Sequence, residues 1–267
     1  MQSADRSRRL RSRSLRVEHL EPRLPAAQVG PAALADFSYI DLNPASDTAG
    51  ETVSPRQFVG KMSAWYFAHA GCSYCTAQFN YLNTLQQELS TAHPLLSFNI
   101  AGVNEAGFQA GDPPPIVADK TLPWVQDVDG DADSDSDIWD AWDVNFRDLV
   151  ILDESNEKIT VYNLTDHNLA EQANFLELRT MLIDAAMDAQ LPYHNAANPF
   201  DCNGDGGVGP LDALLVINDL NANGARRFSA PVGTTAPAIR TDVNADNNAS
   251  PLDALQVINH LNAQSSL

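Results

Sequence analysis

The feature that most constrains this chain is a duplicated segment near its C-terminus. PLDALLVINDLN at residues 210–221 and PLDALQVINHLN at residues 251–262 are identical at ten of twelve positions, with a period of 41 residues. Each copy follows a run in which Asp and Asn alternate with other residues. A repeat of this kind is one supersecondary unit that buries little by itself, so the two copies are expected to pack against each other.

The run before the first copy has oxygen-bearing residues at the spacing of a calcium loop. Such a twelve-residue loop binds Ca²⁺ through positions one, three, five, seven, nine and twelve, with a tight turn at position six. Gly206 takes the turn position. The predicted ligands are Asp201, Asn203, Asp205, the carbonyl of Gly207, and Asp212.

The run before the second copy repeats the pattern with one departure. Asn247 stands at the turn, where asparagine tolerates the left-handed conformation better than most residues. The predicted ligands are Asp242, Asn244, Asp246, the carbonyl of Asn248, Ser250 and Asp253. The sequence therefore predicts two Ca²⁺ sites.

Aspartate at position twelve, and one helix after each loop with none before it, resemble the type I dockerin family. The resemblance covers about 62 residues. It implies a small all-α, EF-hand-like calcium-loop module whose helices bind a cohesin-like domain or another surface protein. It also implies an association with polysaccharide-degrading assemblies, although no paired carboxylates suggest glycosidase chemistry.

A Cys-x-x-Cys pair, Cys72 and Cys75, lies between a predicted buried strand at residues 62–70 and a predicted helix from Ser73 to about Leu89. A helix N-terminus stabilises a thiolate, so Cys72 is predicted to be a nucleophile and Cys75 to resolve the mixed disulfide. An inert disulfide and metal binding are the alternatives. His69 is expected to be a strand-end residue rather than a third metal ligand, and Cys202 a bystander thiol.

The segment around this pair has the element order of a mixed α/β domain. A second buried strand is predicted at 95–103, a hairpin at 149–153 and 158–164, and a last helix at about 169–189. The predicted inner face of that helix consists of Leu176, Met181, Ile183 and Met187. The order, β-α-β, a long insertion, then β-β-α, resembles the thioredoxin fold.

More closely, LPWVQD followed by DIWDAWDVNFRDLVILDESNEKITVYNL resembles the N-terminal domain of selenoprotein P, in which Cys72 would take the place of selenocysteine. Thioredoxins have a cis-proline before the third sheet strand, facing the Cys-x-x-Cys pair. Here Arg147 and Asp148 occupy that neighbourhood. The resemblance implies a thiol/disulfide protein substrate, but the departure at Arg147 and Asp148 means that it does not imply the docking mode of an ordinary thioredoxin.

Charge is distributed unevenly. Seven of the sixteen basic residues are arginines between Arg6 and Arg23, while the net charge is −19. Nucleic acid is therefore not expected as a partner of the folded part. Asp127 to Asp137 contains an alternating acidic run, which we interpret as a solvated loop, with weak cation binding as the alternative.

The N-terminal segment lacks the apolar run of an ordinary signal peptide, and no stretch is long enough to span a membrane. Its arginines and Leu20–Arg23 (LEPR) resemble the leader of large bacterial surface proteins, which implies an extracytoplasmic location. A disordered basic tail is the alternative.

We therefore predict four segments: a leader at 1–35, a thioredoxin-like domain at 36–190, a linker at 191–199 and a dockerin-like module at 200–267. Two functions remain open. One is a thiol-disulfide oxidoreductase tethered through calcium-dependent repeats; the other is a non-catalytic binding or structural protein with a locked disulfide.

Overall fold

A computed structural model describes residues 30, 32–130, 136–228 and 237–264. The strands are β1 Tyr39–Ile40, β2 Thr52–Val53, β3 Ser63–Ala68, β4 Ile100–Asn104, β5 Trp124–Gln126, β6 Asp148–Leu152, β7 Lys158–Asn163, β8 Arg226–Arg227 and β9 Asn248–Ala249. The helices are α1 Ser73–Ala92, α2 Asp137–Ala141, α3 Gln172–Gln190, α4 Pro210–Asn223 and α5 Pro251–Gln264.

A five-stranded mixed sheet organises the first part of the chain. Its strand order is β5-β4-β3-β6-β7. β4 is parallel to both β3 and β5, whereas β6 is antiparallel to β3 and to β7. The β3-α1-β4 unit, the β6-β7 hairpin and α3 together form the thioredoxin-like arrangement that the element order predicted.

Two apolar layers cover the sheet because side chains alternate along a strand. Tyr66 of β3 faces the layer that contains α1 and α3, whereas Trp65 faces the opposite layer, which contains α2 and Phe37. Trp65 and Tyr66 are both fully buried, as expected for the predicted buried strand at residues 62–70. The apolar residues of α1 recur at spacings of three and four and form one buried stripe. Its members, Phe79, Leu82, Leu85 and Leu89, have no exposed surface.

Two details of the sequence-based assignment are wrong. β4 begins at Ile100 rather than Leu95, because residues before it form a turn: the Ser97 N–H donates to Gln190 Oε1 (2.8 Å) instead of a strand. Leu176 is 48% exposed, since the buried face of α3 is centred on Leu178. Leu176 lies two positions before Leu178, and each position turns the helix by about 100°, so Leu176 lies roughly on the side opposite Leu178. Met181, Ile183 and Met187 pack against the core, as predicted.

The C-terminal part is a pair of helices with a loop before each. α4 packs against α5, and β8 pairs with β9 next to the second loop. Residues expected to form the linker contact this unit: the Tyr193 ring stacks on Phe228, and the buried His194 hydrogen-bonds through Nδ1 to the Asp242 carbonyl (2.6 Å). Burial lowers the pKa of His194.

Among the described residues, no helix combines the length and apolar character that membrane crossing requires.

Candidate functional site

The first candidate site is the Cys72–Cys75 pair, which forms a disulfide with 5.2 Å between the Cα atoms. Cys72 is the N-cap of α1, and its Sγ accepts the Cys75 N–H (3.1 Å). Cys72 is partly exposed, whereas Cys75 is fully buried. One sulfur is thus accessible and lies at a helix N-terminus, and the other lies behind it.

Aromatic rings surround the strand end before this pair. The His69 ring stacks on Phe108 (3.7 Å between ring centres) and Phe146 (4.2 Å), and its Nε2 contacts the Glu105 carboxylate. The Trp139 ring stacks on the His69 ring as well, with 5.8 Å between ring centres. His69 therefore has a carboxylate partner and three ring neighbours. This agrees with its predicted role as a strand-end residue.

Arg147 lies directly against the disulfide, in the neighbourhood where the sequence lacks a proline. Its Nη2 is 3.9 Å from Cys72 Sγ, and its guanidinium lies over the rings of Tyr74 and Phe146. The Asp148 side chain does not contact the disulfide; its Oδ1 accepts a hydrogen bond from Asn163 Nδ2 (2.8 Å).

The second candidate site is the loop before α4. Asp201 is buried and accepts backbone N–H groups from Gly204 (2.8 Å) and Gly206 (2.9 Å). Asp212 is also buried and accepts the N–H of Cys202 (2.9 Å). Carboxylates eleven positions apart in the sequence thus hold the two ends of one loop.

Asp205 is the exposed carboxylate of this loop. The Gly207 N–H and the Asn203 amide both donate to it, at 2.9 Å each, and these hydrogen bonds hold the pKa of Asp205 below its usual range.

The loop before α5 repeats this geometry. Asp242 accepts the N–H groups of Asp246 (3.1 Å) and Asn247 (2.9 Å), and Asp253 accepts that of Val243 (2.9 Å). Burial, reinforced by the Asp253 and Asp246 carboxylates, raises the pKa of Asp242 to about 6.

Smaller polar residues complete the second loop. Ser250 Oγ donates to Asp253 Oδ2 (2.9 Å), and Asn244 and Asn248 both donate through their amides to Asp246. Ser250 thus contacts its neighbouring ligand candidate at the start of α5.

The oxygen atoms of both loops are chemically suited to bind Ca²⁺. Carboxylates, asparagine amides and backbone carbonyls are the oxygen ligands that Ca²⁺ takes, and a carboxylate oxygen that accepts one hydrogen bond keeps further acceptor capacity. Within the described parts of the chain, no three or more His, Cys, Asp or Glu side chains are gathered as a metal site on their own. Any cation here would use the Asn and carbonyl oxygens as well.

Both loops need left-handed backbone at positions four and six. Gly204 (φ 70°) and Gly206 (φ 87°) supply it in the first loop, whereas Ala245 (φ 57°) and Asn247 (φ 60°) supply it in the second. A Cβ disfavours this conformation by about 1–2 kcal/mol, so the second loop is the more strained.

Replacing Ala245 by glycine should therefore stabilise the C-terminal unit by about 0.5–1 kcal/mol, after the greater freedom of glycine in the unfolded chain is allowed for. The change in stability is measured by the hydrogen-exchange protection of α5 as the temperature is raised. Ala263→Gly, at an exposed position in the last turn of α5 with helical backbone, is the control and should not stabilise the unit, because it relieves no left-handed strain. A destabilised Ala245→Gly variant would contradict the strain assignment.

One buried polar centre, at Asp127, was not predicted from the sequence. Asp127, interpreted as part of a solvated loop, has no exposed surface, so that interpretation is wrong for this residue. Its oxygens accept five hydrogen bonds, from Tyr39 Oη, Ser136 Oγ and the N–H groups of Val128, Ile138 and Trp139. Residues 131–135 of the acidic run lie outside the described residues. Asp127 directly follows a strand, which was the available signal.

Cys202 is also buried and its thiol is reduced. Burial, with the Asp212 and Asp201 carboxylates adding to it, raises the pKa of Cys202 to about 12. This agrees with the prediction of a bystander thiol.

Comparison with known proteins gives one family match. The dockerin type I domain family matches residues 199–262. No curated protein matches the chain. The resemblance to the selenoprotein P domain stays a prediction.

Several solved structures resemble the first part of the chain. The thioredoxin domain of a thiol-disulfide oxidoreductase from Bacteroides vulgatus is 18% identical, with a TM-score of 0.41, over 58% of this chain and 99% of that one. A putative protein disulfide isomerase from Bacteroides thetaiotaomicron is 15% identical, with a TM-score of 0.44, over 62% and 96%. A putative thiol:disulfide interchange protein DsbE from Chlorobium tepidum is 16% identical, with a TM-score of 0.40, over 57% and 99%.

The thioredoxin-like fold is identified by the strand order and by the position of the Cys72–Cys75 pair at the start of α1, independently of these likenesses. Dockerin type I domains are calcium-binding domains that bind cohesin partners. The chain thus joins a thioredoxin-like α/β domain to a C-terminal segment, residues 199–262, that matches the dockerin type I family.

Proposed function

We propose that this protein is a thiol-disulfide oxidoreductase that works outside the cytoplasm and is tethered to a cohesin-class partner through two calcium-bound loops. The observation that carries the redox part is the asymmetry of the cysteine pair. Cys72 is partly exposed at the N-terminus of α1, and Cys75 is buried behind it. Exchange needs this division into an attacking sulfur and a resolving sulfur.

The exchange proceeds in two balanced steps. The Cys72 thiolate attacks a substrate disulfide, forms a bond to one substrate sulfur and displaces the other as a thiolate. Cys75 then transfers its proton to that thiolate and attacks Cys72 Sγ, which releases the second substrate sulfur. The protein dithiol is oxidised to a disulfide, and the substrate disulfide is reduced by the same two electrons; the reverse sequence oxidises a substrate dithiol.

The proposal predicts different alkylation of the two cysteines. In the reduced protein, iodoacetamide should label Cys72 with a midpoint pH well below the free-thiol value of about 8.5, while Cys75 labels slowly. Mass spectrometry of separate peptides over a pH series measures both, with and without calcium. A Cys75→Ser variant should accumulate the mixed disulfide. Slow labelling at both positions with unshifted midpoints would support the non-catalytic alternative instead.

Support for the calcium part comes from the small core of the C-terminal module. Its central cluster consists of Cys202, Ala213, Val216, Val243, Ala254 and Val257, mostly small side chains, and Phe228 is the one large apolar side chain that is buried among the described residues of the module. Domains of this size with few large buried residues commonly need a metal or disulfide for stability. Two Ca²⁺ ions, one in each loop, would neutralise the buried carboxylates of Asp201, Asp212, Asp242 and Asp253 and hold the loops to the helices.

The two helices also offer a docking surface. Each exposes three apolar side chains at a spacing of three residues, which places them on one face of the helix. They are Leu211, Leu214 and Ile217 on α4, and Leu252, Leu255 and Ile258 on α5, all between 37% and 53% exposed. Exposed apolar patches of this kind are typical of protein-binding sites. The duplicated rows suit a protein partner, and the dockerin match makes a cohesin-class domain the expected one.

A further inference from the structure

Arg147 is held rigidly beside the redox pair. It directly precedes β6 and has left-handed backbone (φ 72°). Its N–H donates to the Phe67 carbonyl (2.9 Å), and its carbonyl accepts the Leu164 N–H (2.9 Å). Both main-chain groups of Arg147 are therefore hydrogen-bonded to neighbouring strand segments, and these bonds fix the position of its Cα atom.

The guanidinium is fixed as well. Its Cζ lies 4.5 Å from the centre of the Tyr74 ring and 4.4 Å from that of Phe146, and its Nη1 is 3.4 Å from Thr165 Oγ1. The half-buried Arg147 side chain therefore contacts two rings, and its Nη2 lies 3.9 Å from Cys72 Sγ. Cation–π contacts of this kind help to hold the cation beside the sulfur.

No carboxylate of the described residues forms an ion pair with this cation. Of the described arginines, Arg56, Arg226 and Arg240 each pair with an aspartate, whereas Arg147, Arg179 and Arg227 do not. The Nε of Arg147 is buried and has no hydrogen-bond partner in the described parts of the protein. Two tyrosines also face this cation: the Tyr74 ring lies against it, and Arg147 opposes the rise in pKa that burial gives Tyr66. Among the groups near Arg147, the sulfur of Cys72 is the one that disulfide reduction converts to an anion.

We propose that Arg147 stabilises the Cys72 thiolate and thereby makes the pair more oxidising; this inference rests on the proposed exchange function. Two-electron reduction of the disulfide creates a thiolate at Cys72 and, after uptake of one proton, a thiol at Cys75. A cation within about 4–6 Å favours that thiolate and lowers its pKa. Stabilising the reduced form raises the reduction potential of the pair.

The same charge assists the release of an oxidised substrate. When a substrate thiolate attacks the mixed disulfide, a substrate disulfide forms and Cys72 leaves as a thiolate. Thiols of lower pKa leave faster. Arg147 thus favours disulfide formation in a substrate dithiol over reduction of a substrate disulfide.

Substitution of Arg147 tests this in the full-length protein. Arg147→Gln should raise the alkylation midpoint of Cys72 by about one pH unit and slow labelling about tenfold below the midpoint. A tenfold loss of thiolate stabilisation lowers the potential by about 30 mV, which equilibration with glutathione measures. Arg147→Lys keeps the charge but loses the planar stacking, so its midpoint should lie between those of the wild type and Arg147→Gln.

Arg56→Gln is the matched control, since Arg56 precedes β3 and so lies at the other end of that strand from Cys72. It should leave the midpoint unchanged. If Arg147→Gln fails to fold, Arg147→Met, whose apolar chain still fills the space between the rings, provides the neutral variant. If the Cys72 midpoint is the same in the neutral variant, in Arg147→Lys and in the wild type, the proposed role of Arg147 is wrong, but the exchange function still stands. An unshifted midpoint in the wild type would overturn the exchange function as well.

Discussion

Replacing Asp127 by asparagine is expected to lower the free energy of unfolding of the thioredoxin-like domain by about 3 kcal/mol or more, because it removes acceptors from buried donors. Asp127 Oδ2 alone accepts three hydrogen bonds, from Ser136 Oγ (2.6 Å) and the N–H groups of Ile138 (2.9 Å) and Trp139 (3.2 Å). An asparagine side chain has one acceptor oxygen and one NH₂ group. The donors that now bond to one of the two Asp127 oxygens would therefore face the amide NH₂, which accepts no hydrogen bond.

Denaturant unfolding followed by tryptophan fluorescence measures this loss. All four tryptophans, Trp65, Trp124, Trp139 and Trp142, belong to the sheet domain, so the signal reports that domain separately from the C-terminal module. Asp129→Asn, at an exposed neighbouring carboxylate, is the control and should change stability by no more than about 0.5 kcal/mol. An Asp127→Asn variant as stable as this control would show that the hydrogen bonds contribute little.

Removal of calcium is expected to unfold the C-terminal module while the sheet domain remains folded. Ligand at about a thousand times its dissociation constant adds about 4 kcal/mol to the stability of a fold that alone binds it. For the small core around Val216 and Val257, a contribution of that size is decisive. Hydrogen exchange by mass spectrometry should show that α4 and α5 lose protection in EGTA and regain it with Ca²⁺, but not with Mg²⁺.

The double variant Asp201→Asn and Asp242→Asn should behave in calcium as the wild type does in EGTA. The double variant Asp129→Asn and Asp166→Asn, at two exposed carboxylates outside both loops, is the charge-matched control. Titration calorimetry against cohesin domains of the same organism should show binding that is lost under the same conditions, because α4 and α5 carry the apolar rows. Protection of α4 and α5 that is independent of calcium would contradict the two-site proposal.

Local patterns explain why much of both domains was predictable. Phe79 and Leu82 recur at helical spacing, so the buried face of α1 could be assigned before its neighbours were known. The position of Cys72 at a helix N-terminus followed from a strand and a helix adjacent in sequence. In the calcium-type loops, Asp201 and Asp212 are close enough in the chain for spacing alone to bring them together.

Contacts between distant segments were not predictable in the same way. Leu176 was assigned to the inner face of α3 from its apolar character, but the orientation of that helix depends on what the sheet presents to it. Asp127 has the composition of an exposed acidic run, and only the return of the chain through Ser136 and α2 makes it a buried acceptor.

The sequence by itself determined the repeats, the type of ligand each loop offers, the cysteine pair and the order of strands and helices, because each depends on residues near one another in the chain. The thioredoxin resemblance implied that Arg147 and Asp148 lie near the cysteine pair, but the tertiary structure alone decided that Arg147 contacts Cys72 while Asp148 binds Asn163. Arg147 and Cys72 are 75 residues apart in the chain, and they meet where β6 pairs with β3. Backbone hydrogen bonding and periodicity act over short separations, whereas the electrostatic environment of a sulfur depends on which distant strands become neighbours.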